Sequence, residues 1–280
     1  MLTKIEVGEL LEKYSEGERD FRSVNLKGAF LGGAELSGAN FRGSDLSEVN
    51  MTGASLKKTN FRETNLSKAI LQADLTQANL ISANLSEADL CDAKLHDASL
   101  RGANLTKAKL VAADLTHALL NEAIVEEADL SRARLFECLL ARANLGRAIL
   151  VGANLQRANL TNVLMVSANI QGANLAHATL NGINATRVNA SEVDLTHANL
   201  SASNLTQIIL TKANLRSAIV TWTTMREADL SEAQMFRANL CWSNLRGANL
   251  TKAMLMDANL DEANLSNAKL TGAILSKQTE

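Results

Sequence analysis

The chain has 280 residues, 46% of them apolar but only 3% aromatic, and it contains no proline. Its core must therefore be built from Leu and Ala, and a backbone hydrogen-bonded from end to end is the kind that excludes proline. With 28 basic and 30 acidic side chains the net charge is −2, which points neither to a nucleic-acid binder nor to a strongly acidic mimic.

Residues 1–18 read as a helical cap. Thr3-x-x-Glu6 has the form of a capping box, in which each side chain satisfies the other's backbone N–H. Val7, Leu10, Leu11 and Tyr14 follow on one face of a short helix, and Gly17 is placed to stop it. Charges run through the whole segment, so it does not read as a secretory signal. No window approaches the length of a membrane span.

From residue 19 to 275 the chain repeats every five residues. Between Leu75 and Leu275 there are 41 successive quintets, with Leu at the central position in 33 of them. Ala stands two residues earlier in 32, and Asn or Asp immediately before the centre in 24. Ala83-Asn84-Leu85, Ala103-Asn104-Leu105 and Ala248-Asn249-Leu250 are clear examples. As a helix this step would rotate each Leu by about 140°, and as a strand it would alternate faces. Neither buries the Leu set. A chain that turns a corner every five residues does, with Leu and Ala inward and the remaining three positions outward.

These quintets resemble the pentapeptide-repeat family, whose motif is A(D/N)LXX. The resemblance implies an all-β right-handed quadrilateral β-helix with four quintets per coil. The head, from Val7-Gly8-Glu9-Leu10-Leu11 to Phe21, is similar to the entry segment of cyanobacterial members and implies a cyanobacterial source. Counting centres from 21 gives 52 quintets, hence about 13 coils and a solenoid about 60 Å long at the usual strand spacing.

One register break interrupts the repeat. Centres run 21, 26 and onward to 71, then resume at 75, so Leu71-Gln72-Ala73-Asp74 is one residue short. A neutral deletion absorbed by a local kink is one reading, and a bend that shapes a docking surface is the other. Further on, residues 183–193 exchange large and small. Ala185 and Ala190 stand at centres, while Ile183, Val188 and Val193 replace Ala, which conserves core volume. Residues 276–280 form a polar tail with no capping device, so the chain is expected to be a monomer or a C-terminal end-to-end dimer.

Four quintets per coil would stack residues twenty apart. Glu87, Lys107, Glu127 and Arg147 then alternate in sign along one column, and Glu192, Lys212, Glu232 and Lys252 along another, as cross-strand pairing favours. His117, His177 and His197 share a column. Trp222 and Trp242 stack on the surface, and an exposed aromatic pair is the best local mark of a contact site. No acidic residue lies between Glu137 and Glu192, where Arg142, Arg147, Arg157 and Arg187 are spread over four faces. Arg suits carboxylate or phosphate recognition, so these six residues are the partner-binding candidates.

Cys91, Cys138 and Cys241 are odd in number and lack metal or redox spacing. Free thiols fit a reducing cytosol, and a cytoplasmic location is expected. No catalytic set, phosphate loop or metal motif stands out, so no cofactor, metal or enzymatic role is expected. The expected function is a non-catalytic interaction or regulatory module with a protein partner, without membrane or nucleic-acid binding. The alternative is a DNA mimic that inhibits or protects an enzyme such as gyrase, a role some family members have. Balanced charges and the missing C-terminal dimer element set this chain apart from those members.

Overall fold

In the computed structural model residues 2–275 are described, in two compact units, Met1–Leu139 and Leu140–Glu280. The expected polar tail at 276–280 lies outside the described residues. Within each unit the chain is a β-solenoid in which residues twenty apart form parallel bridges. Asn84 pairs Asn104 in the first unit, and Asn184 pairs Asn204 in the second.

The hydrogen bonds explain the five-residue step. In the quintet Asn104–Ala108, the N–H groups of Leu105 and Lys107 donate to the next coil, at Ile124 O (2.7 Å) and Glu126 O (2.9 Å). Asn104 N–H donates back to Ala83 O at 2.9 Å, and Ala108 N–H closes the corner on Leu105 O at 3.0 Å. That leaves Thr106 N–H, which donates to Asn104 Oδ1 at 3.0 Å. All five donors are thus satisfied, as buried or crowded backbone requires. The Asn/Asp preference before the centre follows, because its side chain caps the donor that no coil can reach. Where Thr or Ser stands there, its hydroxyl bonds the same oxygen, as Thr106 Oγ1 does at 2.6 Å.

The corner requires a left-handed residue two positions after each centre. From Ser23 to Gly272 every such residue has positive φ, with the break at 71–74 as the exception. Most are not glycine; Lys107 has φ 59° and Trp222 φ 58°. This conformation costs an L-residue about 1–2 kcal/mol. It is held by the inter-coil bond of its own N–H and by the i-to-i+3 bond of a type II turn.

The register break omits that left-handed residue. No residue between Lys68 and Gln77 has positive φ, yet the ladder continues across it. Asn50 pairs Ile70, Ser55 pairs Asp74 one residue closer, and Asp74 pairs Lys94 in the ordinary step. Leu71 and Leu75 stay fully buried. The short corner leaves a shallow notch bordered by Lys57, Gln72, Asp74, Asp92 and Lys94.

Leu and Ala fill the interior as expected, with one aromatic addition. Phe21, Phe41 and Phe61, centres twenty residues apart, stack in successive coils with centroids 5.7 Å apart. Where Thr or Ser replaces Ala, its hydroxyl reaches a backbone carbonyl, as Thr64 does to Phe41 O (2.8 Å) and Thr223 to Leu200 O (2.8 Å). The exchanged stretch is well packed: Ile183, Ala185, Val188, Ala190, Val193 and Ile208 are all buried.

The head differs from expectation at its start. The capping box at Thr3 and Glu6 does not form. Strand β1 (Thr3–Lys4) instead pairs in parallel with β2 (Val24–Asn25), and Thr3 N–H donates to Ser23 O at 2.8 Å. Backbone pairing with the first coil draws Thr3 away from helix α1 (Val7–Ser15), whose N-cap Glu6 makes no side-chain cap bond. Leu10 is fully buried, Val7 and Tyr14 half-buried, and Leu11 exposed. The helix ends at Gly17 (φ 104°), with Gly17 N–H on Tyr14 O and Glu18 N–H on Lys13 O, a Schellman arrangement. Tyr14 Oη donates to Ser37 O at 2.8 Å and ties the helix to the solenoid. In the second unit, β3 (Met254–Leu255) and β4 (Ile274–Leu275) form the last parallel pair.

Two substitutions test the corner. Ala202, exposed with φ 57°, changed to Gly should raise stability by about 0.5–1 kcal/mol in chemical denaturation, because glycine carries no left-handed penalty. Asn104→Ala should lower it by about 1–2 kcal/mol, while Asn104→Asp, which keeps the oxygen, should cost less.

Candidate protein-interaction surface

The inward positions are consumed by packing, so any site is drawn from three outward positions per quintet. Because coils stack at twenty, these positions form columns, and one residue's neighbours are those of the coils before and after it. The columns, rather than the linear order, decide which side chains meet.

Trp222 and Trp242 are adjacent in one column of the second unit. Their rings are parallel within 3°, with centroids 5.1 Å apart. They are 64% and 49% exposed, so mutual stacking leaves about half of their surface in water. Their backbones are fixed by Trp222 N–H to Cys241 O (3.2 Å) and Trp242 N–H to Asp261 O (3.0 Å). Exposed Ile219 precedes Trp222 by three residues.

The four arginines occupy three columns rather than four. Arg142 shares the Trp column, four coils before Trp222. Arg147 and Arg187 share a second column two coils apart, and Arg157 lies in the His177–His197 column. Arg147 and Arg187 fall in one column because forty residues are two full coils.

His177 and His197 stack face to face, centroids 5.0 Å apart and planes 16° apart. In the first unit, Lys107 Nζ lies 3.7 Å from Glu127 Oε2 and Lys68 Nζ 4.0 Å from Glu87 Oε2. These exposed pairs help set register and contribute little energy. In the second unit Glu192, Lys212 and Glu232 follow one another through Glu192 N–H to Thr211 O and Lys212 N–H to Ser231 O.

Among the Asp residues before centres, Asp74, Asp114 and Asp229 are held below the ordinary carboxylate value by their neighbours. Burial pushes the Asp114 carboxyl up, but Thr116 hydroxyl and N–H bonds, with Arg134 and His96 nearby, outweigh it and lower it below the ordinary value. Asp74 and Asp229 behave alike through Thr76 and Ser231. Cys138 is fully buried and burial pushes its thiol well up, so it is an inert core residue. Cys91 is raised mainly by burial and then by Asp89. Among the described residues no helix is long and apolar enough to cross a membrane.

The model of pentapeptide repeats matches in overlapping stretches from 20–57 to 128–165, and again at 168–207, 194–232 and 233–276. The chain belongs to the pentapeptide-repeat family. Members are in general non-enzymatic structural or interaction modules. Among solved structures it is similar to HetL, a pentapeptide repeat protein involved in heterocyst differentiation regulation from the cyanobacterium Nostoc sp. strain PCC 7120. That match has 32% identity over 98% of this chain and 99% of that one, with TM-score 0.45. Rfr23 from the cyanobacterium Cyanothece 51142 matches at 32% identity over 33% of this chain and 63% of that one, TM-score 0.32. QnrB1, a plasmid-mediated fluoroquinolone resistance protein, matches at 20% identity over 63% and 84%, TM-score 0.33. No curated protein matches the chain.

The lowered Asp114 carboxyl has a signed consequence. Its stabilisation is present above the unfolded value near 3.9 and is lost as pH falls through the lower folded value. Asp114→Asn keeps the acceptor oxygen but cannot titrate. The difference in thermal midpoint between wild type and variant should therefore shrink from about pH 7 to about pH 3, as read by circular dichroism.

Proposed function

We propose that the chain is a non-catalytic interaction or regulatory module, a right-handed quadrilateral β-helix whose outward columns receive a protein partner in the cytoplasm. Trp222 and Trp242 form the central contact. The observation that carries this reading is their parallel, half-exposed stack on a backbone whose donors are tied into the ladder. Such a surface is preorganised, so little conformational entropy is lost on binding, and Trp is enriched at the residues that dominate interface energy.

Charge suggests the partner's character. Residues 141–280 carry 12 basic and 9 acidic side chains, a balance of +3, against 16 and 21, or −5, for residues 1–140. Arg142 in the Trp column and Arg187 in a second column favour a partner with an acidic rim around an apolar or aromatic anchor point. The mixed signs of the Lys68–Glu87 and Lys107–Glu127 ladder do not form the continuous acidic face that mimicry of DNA requires.

The test is a quantitative pull-down from host lysate with wild type and the double variant Trp222→Ala, Trp242→Ala. Recovery of specific partners should fall at least about tenfold, equivalent to roughly 1.4 kcal/mol. Equal recovery would remove the Trp surface from the account. Inhibition of gyrase supercoiling by the purified protein would favour the mimic instead.

A further inference from the structure

We infer that His96, Asp97 and His117 form a coordination site for a divalent transition metal of the Zn²⁺ class. The three residues carry no recognisable spacing in the linear sequence. His96 and Asp97 are consecutive outward residues at one corner, and His117 follows Asp97 by twenty, so stacking of coils brings them together. Their ligand atoms all lie within 4.8 Å of one another.

The carboxylate sits between the two imidazoles. Asp97 Oδ2 is 3.2 Å from His96 Nε2, and Asp97 Oδ1 is 3.6 Å from His117 Nδ1. Tetrahedral Zn²⁺ with bonds near 2.0–2.1 Å separates adjacent ligand atoms by about 3.3 Å; the His96 edge has that length, and the His117 edge, made to the other carboxylate oxygen, is a few tenths of an ångström longer. The His96 and His117 rings are tilted by 51° with centroids 5.2 Å apart, unlike the face-to-face His177–His197 pair. All three side chains are roughly two-fifths exposed, which leaves a fourth position open to water, as in three-ligand sites.

A second carboxylate completes the arrangement. The far nitrogen of His117, Nε2, is 3.4 Å from Glu137 Oε2. A metal-bound imidazole usually donates its other N–H to a carboxylate, which fixes ring and tautomer. Glu137 is placed for that task, and Phe136 flanks the same ring at 6.1 Å. Asp114 adds negative charge near His96. The backbone is preset: Asp97 N–H donates to Thr116 O (3.1 Å) and His117 N–H to Phe136 O (3.0 Å).

The experiment is titration of the untagged full chain with Zn²⁺ by calorimetry, and with Co²⁺ by visible absorption. We expect one Zn²⁺ per chain and a Co²⁺ spectrum of tetrahedral intensity. Both should disappear in the double variant His96→Ala, His117→Ala, and Glu137→Gln should weaken binding about 10- to 100-fold. The control His177→Ala, His197→Ala should bind as wild type. Circular dichroism of each variant confirms the fold, since only side chains at least partly open to solvent change. No stoichiometric binding by wild type, or binding lost only in the His177/His197 control, overturns the inference.

Discussion

Everything in this structure depends on a corner that closes every five residues. The corner needs a residue with positive φ, an i-to-i+3 bond behind it, and a partner for the one N–H that points away from both adjacent coils. In the quintets that carry Asn or Asp before the centre, that side chain supplies the partner. Asn104 meeting Thr106 shows the unit in full. Once the corner is closed, Leu and Ala always return to the inside and twenty residues return the chain to register. The left-handed residue is costly by itself, so the inter-coil ladder and the corner are each incomplete without the other.

This division of labour sets where function can reside. Two positions per quintet are committed to packing, and the position before the centre is committed to capping in the quintets that carry Asn or Asp. Variation free of that cost falls at the two corner residues. Trp222, Trp242, His96, Asp97, His117 and the four arginines all stand there. They project from a backbone that cannot easily move, so neighbouring columns act as fixed arrays. The family's general lack of catalysis fits this arrangement, because a convex corner offers little shelter from water.

The five-residue period, the Leu and Ala interior and the twenty-residue stacking were all legible in the sequence, because each is a strict spacing of chemically similar residues. The Asn/Asp preference was visible as a pattern but not as a mechanism, since its meaning lies in one side-chain oxygen and a backbone N–H two residues on. The omitted residue at 71–74 was countable, yet only the φ values identify it as the left-handed one. Thr3 and Glu6 misled because a local capping pattern competes with strand pairing to Val24–Asn25, a contact twenty-one residues away. The His96–Asp97–His117 cluster escaped notice because His96 stands one position before its partners' column. The Trp pair was legible because both residues fall at the same quintet position twenty apart.

Four of five N–H groups in the quintet are held by backbone acceptors, and where Asn or Asp precedes the centre the fifth is held by that side chain at an exposed corner. Native-state amide hydrogen exchange followed by NMR measures this directly. Protection should rise and fall with a five-residue period, lowest at the residue just after each centre, such as Thr106 and Thr206, and highest at central residues such as Leu105 and Leu205. Protection without that period, or Thr106 and Thr206 as protected as Leu105 and Leu205, would contradict it.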